Sequence, residues 1–235
     1  MDAAEYNLMD AVEEQMWWYR ALHARLLAAL APVSGRVLDA GCGTGGFLRK
    51  LAAHRVDLDL IGLEWDSGAA CRARVKSGQA VVRGSVNAPP FATTSFDAVV
   101  SADVLCHEAV VLPIALQELR RVLRPGGLLV LNLPAYEWLR SAHDTRVGNA
   151  RRVTRRALAS DLAAAGFQNV RARYWNGVLL PVMAVRRKLT RHGEGVSDVT
   201  QFPPLLDRML HAATVIERWL PLPAGGSVLA TATRH

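Results

Sequence analysis

Cysteine is scarce, with only Cys42, Cys71 and Cys106 among 235 residues. An odd number at no paired spacing excludes a disulfide framework and a cysteine-built zinc site, and it favours reduced thiols. Long apolar runs are missing too. The longest, around residues 177–185, falls well short of the roughly 20 residues that a membrane-spanning helix needs. The opening Met1-Asp2-Ala3-Ala4-Glu5 is acidic and lacks the basic-then-apolar order of a secretion signal, so a cytoplasmic location is expected. His107-Glu108 has no second histidine one helical turn on, which removes the zinc-protease pattern. No metal is expected, and neither internal repeats nor low-complexity tracts occur.

What is present suffices for one buried α/β domain with a lid or insertion, since 51% of the residues are hydrophobic. The formal net charge is +7, and its densest cluster is Arg151-Arg152-Val153-Thr154-Arg155-Arg156. That charge admits nucleic acid, but the cluster is short and has no interleaved aromatic platform. An anionic or lipid-like small substrate, or a transient contact with a membrane surface, fits the same charge.

The stretch Val37-Leu38-Asp39-Ala40-Gly41-Cys42-Gly43-Thr44-Gly45-Gly46-Phe47 reads as a buried strand delivering a glycine turn into a helix. The glycines admit backbone angles and close approaches that a Cβ blocks. Gly41-x-Gly43-x-x-Gly46 also satisfies the dinucleotide pattern, which keeps an NAD(P)-dependent oxidoreductase open. Asp39 argues against it, because a carboxylate suits a cationic ligand better than a pyrophosphate. The next strand ends at Glu64, about twenty residues beyond the loop, where an acid can accept both ribose hydroxyl protons. Trp65 follows and can pack on an adenine face.

These residues resemble the class I S-adenosylmethionine-dependent methyltransferases, whose first motif runs strand, acid, Gly-Cys-Gly-Thr-Gly. Ser95-Phe96-Asp97-Ala98-Val99-Val100, Asp103-Val104-Leu105-Cys106-His107 and Leu119-Arg120-Arg121-Val122-Leu123-Arg124-Pro125-Gly126-Gly127 resemble later motifs of the family in the same order. The resemblance implies a Rossmann-like seven-stranded α/β sheet with helices on both faces. It implies S-adenosyl-L-methionine as cofactor, with Asp39, Gly41, Cys42, Gly43, Glu64, Trp65 and Asp103 at its site. Where many relatives carry an aspartate for the adenine amino group, this chain has Ser85 after Gly84, so the Ser85 hydroxyl or the Val86 amide is expected to meet the adenine edge. Arg20 is expected to reach the methionine carboxylate.

Strand and helix patterns alternate, with strands expected near 35–40, 58–64, 79–84, 96–102 and 127–133, followed by Phe167 to Tyr174 and Ser227 to Thr233. The last strand is expected to run antiparallel, as in the family. Apolar positions from Val12 to Leu30 recur at helical spacing, predicting one amphipathic helix over Asp10 to Ala31. A helix from about Thr154 to Ala165, closed by Gly166, is expected before strand six. About fifty residues separate the last two strands, and helical stretches near 177–191 and 205–220 predict an inserted cap with a linker over Gly193 to Pro204. The chain thus divides into an N-terminal lid (1–34), a core (35–176), a cap (177–224) and a last strand (225–235).

Methyl transfer is an in-line displacement that needs alignment, water exclusion and at times a base, but no protein nucleophile. Cys106 therefore reads as core packing rather than a catalytic thiol. Two readings of His107 stand, a base near the methyl donor or a packed, hydrogen-bonded ring. His143-Asp144 is a second base-and-orienter candidate, with Asp144 alternatively pairing with Arg151 or Arg152. Tyr6, Trp18 and Tyr19 are candidate lid contacts, and Trp18, Tyr19, Tyr136, Trp138, Tyr174 and Trp175 suggest an apolar acceptor site, though helix-to-sheet packing claims many such rings. Bacterial relatives in the family share the Trp-Trp-aromatic helix, Ser141 to Asp144 and Tyr174 to Asn176. The expected activity is methyl transfer to a small, partly apolar acceptor. The alternatives are the oxidoreductase and a cofactor-binding module that engages RNA or a membrane surface.

Overall fold

The computed structural model describes residues 3–189, 202–217, 220 and 222–235. Its strands are β1 (Arg36–Ala40), β2 (Asp59–Glu64), β3 (Ala80–Arg83), β4 (Phe96–Ala102), β5 (Leu123–Pro134), β6 (Phe167–Trp175) and β7 (Ser227–Arg234). They form one sheet in the order β3-β2-β1-β4-β5-β7-β6. The first five are parallel, and β7 runs antiparallel between β5 and β6. The described helices are α1 (Ala3–Val12), α2 (Trp17–Ala29), α3 (Gly46–His54), α4 (Ser67–Ser77), α5 (Leu112–Val122), α6 (Ala142–Val147), α7 (Arg155–Ala164), α8 (Leu180–Leu189) and α9 (Pro204–Ile216).

The sheet is covered on both faces, as its strands' near-continuous apolar runs require. On one face, Ala115, Leu116, Leu119 and Val122 of α5 join Leu158 and Leu162 of α7 over Val99, Leu129 and Leu131. On the other, Leu22, Leu26 and Leu30 of α2 and Phe47, Leu48 and Leu51 of α3 pack on Val37, Val100 and Val130. Each fully buried leucine contributes about 1.5–3 kcal/mol, so these stripes set which way every strand's carboxyl end points.

The single helix expected over Asp10 to Ala31 is broken. α1 ends at Val12, a turn follows, and α2 begins at Trp17. The cause is Glu13, whose buried carboxylate accepts the Thr44 hydroxyl at 2.7 Å and the Lys76 ammonium at 2.5 Å, drawing the turn onto the glycine loop. Strand β5 starts earlier than expected because Leu123 pairs with Phe96 across a bulge. Thr154 caps α7 by accepting the Ala157 amide at 3.1 Å, and Gly166 follows it at φ +84°.

Helices α8 and α9 lie between β6 and β7, while most of the expected 193–204 linker falls outside the described residues. Glu217 ties the two ends of this excursion together, accepting the amides of Asn176, Gly177 and Val178 at 2.5, 2.7 and 3.2 Å. Asp207 of α9 accepts the Trp17 amide at 2.7 Å, docking α9 on the start of α2.

Candidate active site

At the carboxyl ends of β1 and β2 the chain turns sharply, and the Gly41 and Cys42 amides both donate to the Leu63 carbonyl, at 2.8 and 3.0 Å. Gly41 has φ +89°, and a Cβ there would sit 2.2 Å from Val104 Cγ2. Gly45, at φ +91°, presses against Ala73 in the same way. Glu64 closes the loop from the neighbouring strand. Its Oε2 accepts the Gly43 amide at 2.9 Å, and its Oε1 accepts the Asp66 amide at 2.9 Å and the Tyr6 hydroxyl at 3.1 Å. Asp39 is 3% exposed, and its Oδ2 has no hydrogen-bond partner. Burial, reinforced by Glu64 and Glu13, pushes its carboxyl up to about 8. The arrangement is an acid-lined, backbone-built concavity that includes an unpartnered carboxyl oxygen.

A cavity of about 540 Å³ runs from this loop beneath α1, α2 and α6, reaching Met183 of α8 and Phe202. It is also lined by Asp103, His107, His143, Asp144, Asn149 and Arg152. Asp103 follows β4 at φ +55°, an uncommon angle for a residue with a side chain. Both its oxygens take hydrogen bonds from Asn132 Nδ2 at 3.1 Å, and Asn132 Oδ1 accepts the Trp175 indole N–H at 2.7 Å. Burial pushes the Asp103 carboxyl up to about 7, against the lowering effect of Asn132 and Arg152. His107 is held low by burial, which favours the neutral imidazole. Asp144 is held below its ordinary range, because the adjacent Arg152 guanidinium and the Ser141 amide outweigh burial.

Most of the expected donor-site residues come together: Asp39, Gly41, Cys42, Gly43, Glu64, Trp65, Ser85, Val86 and Asp103 all line the cavity. Arg20 does not. Its guanidinium pairs with Asp207 of α9, because the break after α1 turns that side of α2 toward the insertion. Trp18, Tyr19, His107, His143 and Asp144 line the cavity, and Asp144 makes the arginine pairing that was its alternative. Its oxygens are engaged by Arg152 at 2.8–3.2 Å, by the Ser141 amide at 2.8 Å and by Asn149 at 3.3 Å.

Tyr136, Trp138, Tyr174 and Trp175 are not among the lining residues. Tyr136 stacks between Trp138 and Tyr174 with centroids 5.7 and 5.1 Å apart, and Arg155 lies 5.6 Å over Tyr174. The backbone at Tyr136 turns at φ +55°, which sets these rings apart from the cavity. Trp175 is buried, stacked on Trp18 under Arg25. Cys106 is fully buried against the Asp103 carbonyl and Asn149, and burial holds its thiol well above the ordinary range, in keeping with the packing role.

Sequence reasoning missed Glu13, His23, Asn149, Arg152 and Met183 as walls of this cavity. Glu13 was the legible one, an acid standing among apolar positions at helical spacing. His23, fully enclosed near Phe47 and Tyr19, is pushed down to about 3 by burial and then by Lys50. Its type carried no signal of that depth.

Residues 38–131 match the family model described as "Methyltransferase domain". Those residues are a methyltransferase domain of the class I, S-adenosylmethionine-dependent kind. The match settles the glycine loop against the nicotinamide reading. The domain is 38% identical over 111 residues to 24-methylenesterol C-methyltransferase 2 of Oryza sativa subsp. japonica, covering 44% of this chain and 29% of that protein. It is 31% identical over 176 residues to malonyl-[acyl-carrier protein] O-methyltransferase of Herminiimonas arsenicoxydans, covering 72% and 64%. The chain therefore spans less than two thirds of either curated relative. Its fold is similar to that of a Thermotoga maritima methyltransferase described as a possible histamine N-methyltransferase, with TM-score 0.61 at 20% identity over 98% and 99% of the two chains. The residues present in the methyltransferase domain fit its cofactor, because the unpartnered Asp39 oxygen and the Glu64 carboxyl offer acceptors to a hydroxyl-bearing group, and a cation bound beside Asp39 would favour its ionised form.

Proposed function

We propose that the protein transfers a methyl group from S-adenosylmethionine to a small, partly apolar acceptor. One observation carries this: a single, mainly apolar cavity is lined both by Asp39 and Glu64 and by His107 and His143. When bound, the cofactor supplies an electrophilic methyl on a sulfonium. Glu64 would hold the ribose hydroxyls, Asp39 the cationic end, and Ser85 with Val86 the adenine edge. Trp18, Tyr19, Phe47 and Met183 exclude water and grip the apolar part of the acceptor. His107, which burial holds low against hydrogen bonds with the Val147 and Asp103 backbone, is the side chain we assign to take a proton from an acceptor hydroxyl or amine.

The arginine cluster supports a small acceptor over nucleic acid. Arg151 donates to the carbonyls of Leu105, His107 and Val110, Arg152 is buried on Asp144, and Arg155 covers Tyr174. Much of that charge is consumed by the fold. The reading also places the protein in the cytoplasm, supported by the cysteines all being free thiols. No described helix is long and apolar enough to cross a membrane.

The test is incubation with methyl-labelled donor and a fractionated metabolite extract, followed by mass detection. A labelled, partly apolar product that disappears with Glu64→Gln is the expected result. Calorimetry showing no S-adenosylhomocysteine binding to the wild type would overturn it.

A further inference from the structure

The inner sides of the helices between β6 and β7 are accounted for, and their outer sides are not. Leu179, just before α8, and Leu210 and Ala213 of α9 pack with Met16 and Trp17 in one cluster. Away from it, α9 exposes Leu205 (72%), Met209 (62%), Ala212 and Ile216 (62%), spaced i, i+4, i+7, i+11. That spacing is one continuous stripe along the whole helix. Val182 and Val185 of α8, at i and i+3, are exposed in the same manner. A water-facing helix does not repeat large apolar residues at this period on its outer side, and contiguous exposed patches mark interaction surfaces.

The charge around these stripes decides the occupant. Exposed Arg208, on α9, lies one turn from both Leu205 and Ala212 and so borders its stripe. The sequence of α8 continues from Val185 directly into Arg186-Arg187-Lys188. The chain as a whole carries a formal charge of +7. An apolar stripe bordered by an exposed arginine, with a basic run in the adjoining sequence, is the pattern of a helix lying in the plane of an anionic bilayer, its apolar side in the acyl boundary. A protein groove offers no comparable reason for the excess of one sign. We propose that the outer faces of α8 and α9 dock on an anionic lipid surface. The placement has a consequence for the cavity, because Met183, on the inner side of α8, lines it, so docking brings its apolar wall close to the lipid from which a partly apolar acceptor can enter.

Flotation with phosphatidylcholine vesicles, with and without about one third phosphatidylglycerol, tests this on the full chain. Wild-type protein should float with the anionic vesicles, bind neutral ones at least about 10-fold less, and be released by added salt. The triple variant Leu205→Glu, Met209→Glu, Ile216→Glu should lose flotation about 10-fold or more, with unchanged melting temperature and unchanged S-adenosylhomocysteine binding. The single variant Met209→Glu should fall between. Those two controls separate this proposal from the methyl-transfer reading, since neither relies on turnover. Wild-type protein remaining unbound on anionic vesicles would overturn it, as would a triple variant that floats like wild type. A solution dimer that the triple variant dissociates would assign the face to a second copy of the chain and equally overturn it.

Discussion

The two ends of the cavity are built differently. The donor end is made by backbone: the Gly41 and Cys42 amides on the Leu63 carbonyl, and Glu64 on the Gly43 and Asp66 amides. All of it comes from consecutive parallel strands and their first turns. The wall proposed for the acceptor is made by side chains from separate segments, with Asp144 of α6 on Arg152 and Asp103, after β4, on Asn132 of β5. A backbone-built site needs only local residues that permit its angles, whereas a side-chain-built site exists only once remote elements are packed. The same contrast predicts how each end fails.

If the acceptor end depends on packed side chains, breaking one buried pair there should unfold more than it inactivates. Arg152→Ala strands Asp144, which is fully buried, and should cost about 3–5 kcal/mol in urea unfolding. A loss below about 1 kcal/mol would remove this half of the contrast. At the donor end the order of effects reverses. Glu64→Gln should weaken S-adenosylhomocysteine binding about 100-fold by calorimetry and lower stability by less than Arg152→Ala, since one of the two donating amides retains a carbonyl acceptor.

Asp39 sharpens the contrast, because it serves the ligand at the fold's expense. Its folded value near 8 lies above the ordinary 3.8, so the folded protein holds an extra proton between about pH 4 and 8 and loses stability as pH rises through that window. Asp39→Asn should be more stable than wild type at pH 8, with the gap narrowing toward pH 4. It should also bind S-adenosylhomocysteine about 10-fold more weakly. Equal pH slopes for the two proteins would contradict the assignment. The smallest effect belongs to Tyr6, whose hydroxyl occupies one Glu64 oxygen. Tyr6→Phe frees that acceptor and should strengthen ligand binding about two- to fivefold, measured in the same titration.

The seven strands, their order of appearance and the donor loop were legible in the sequence because each rests on a short-range rule. Buried strands read as apolar runs, the loop reads as glycines after an acid, and the next acid follows one strand later. The break between α1 and α2 was not legible, since helical periodicity continues across it and the partners that pull Glu13 aside, Thr44 and Lys76, lie far along the chain. Arg20 misled for the same reason. Its type suits a carboxylate ligand, but Asp207, nearly two hundred residues away, reaches it first.

By itself, the sequence determined the α/β sheet, the class of cofactor and the acids at the ends of β1 and β2, because those depend on backbone angles and nearest neighbours along each β-to-α turn. Tertiary structure alone decided which aromatic rings reach the cavity and which stack outside it, and that Asp144 pairs with Arg152 rather than Arg151. Those choices are settled by competition among side chains for a few partners in a packed interior, and no local pattern records which contender arrives at contact distance.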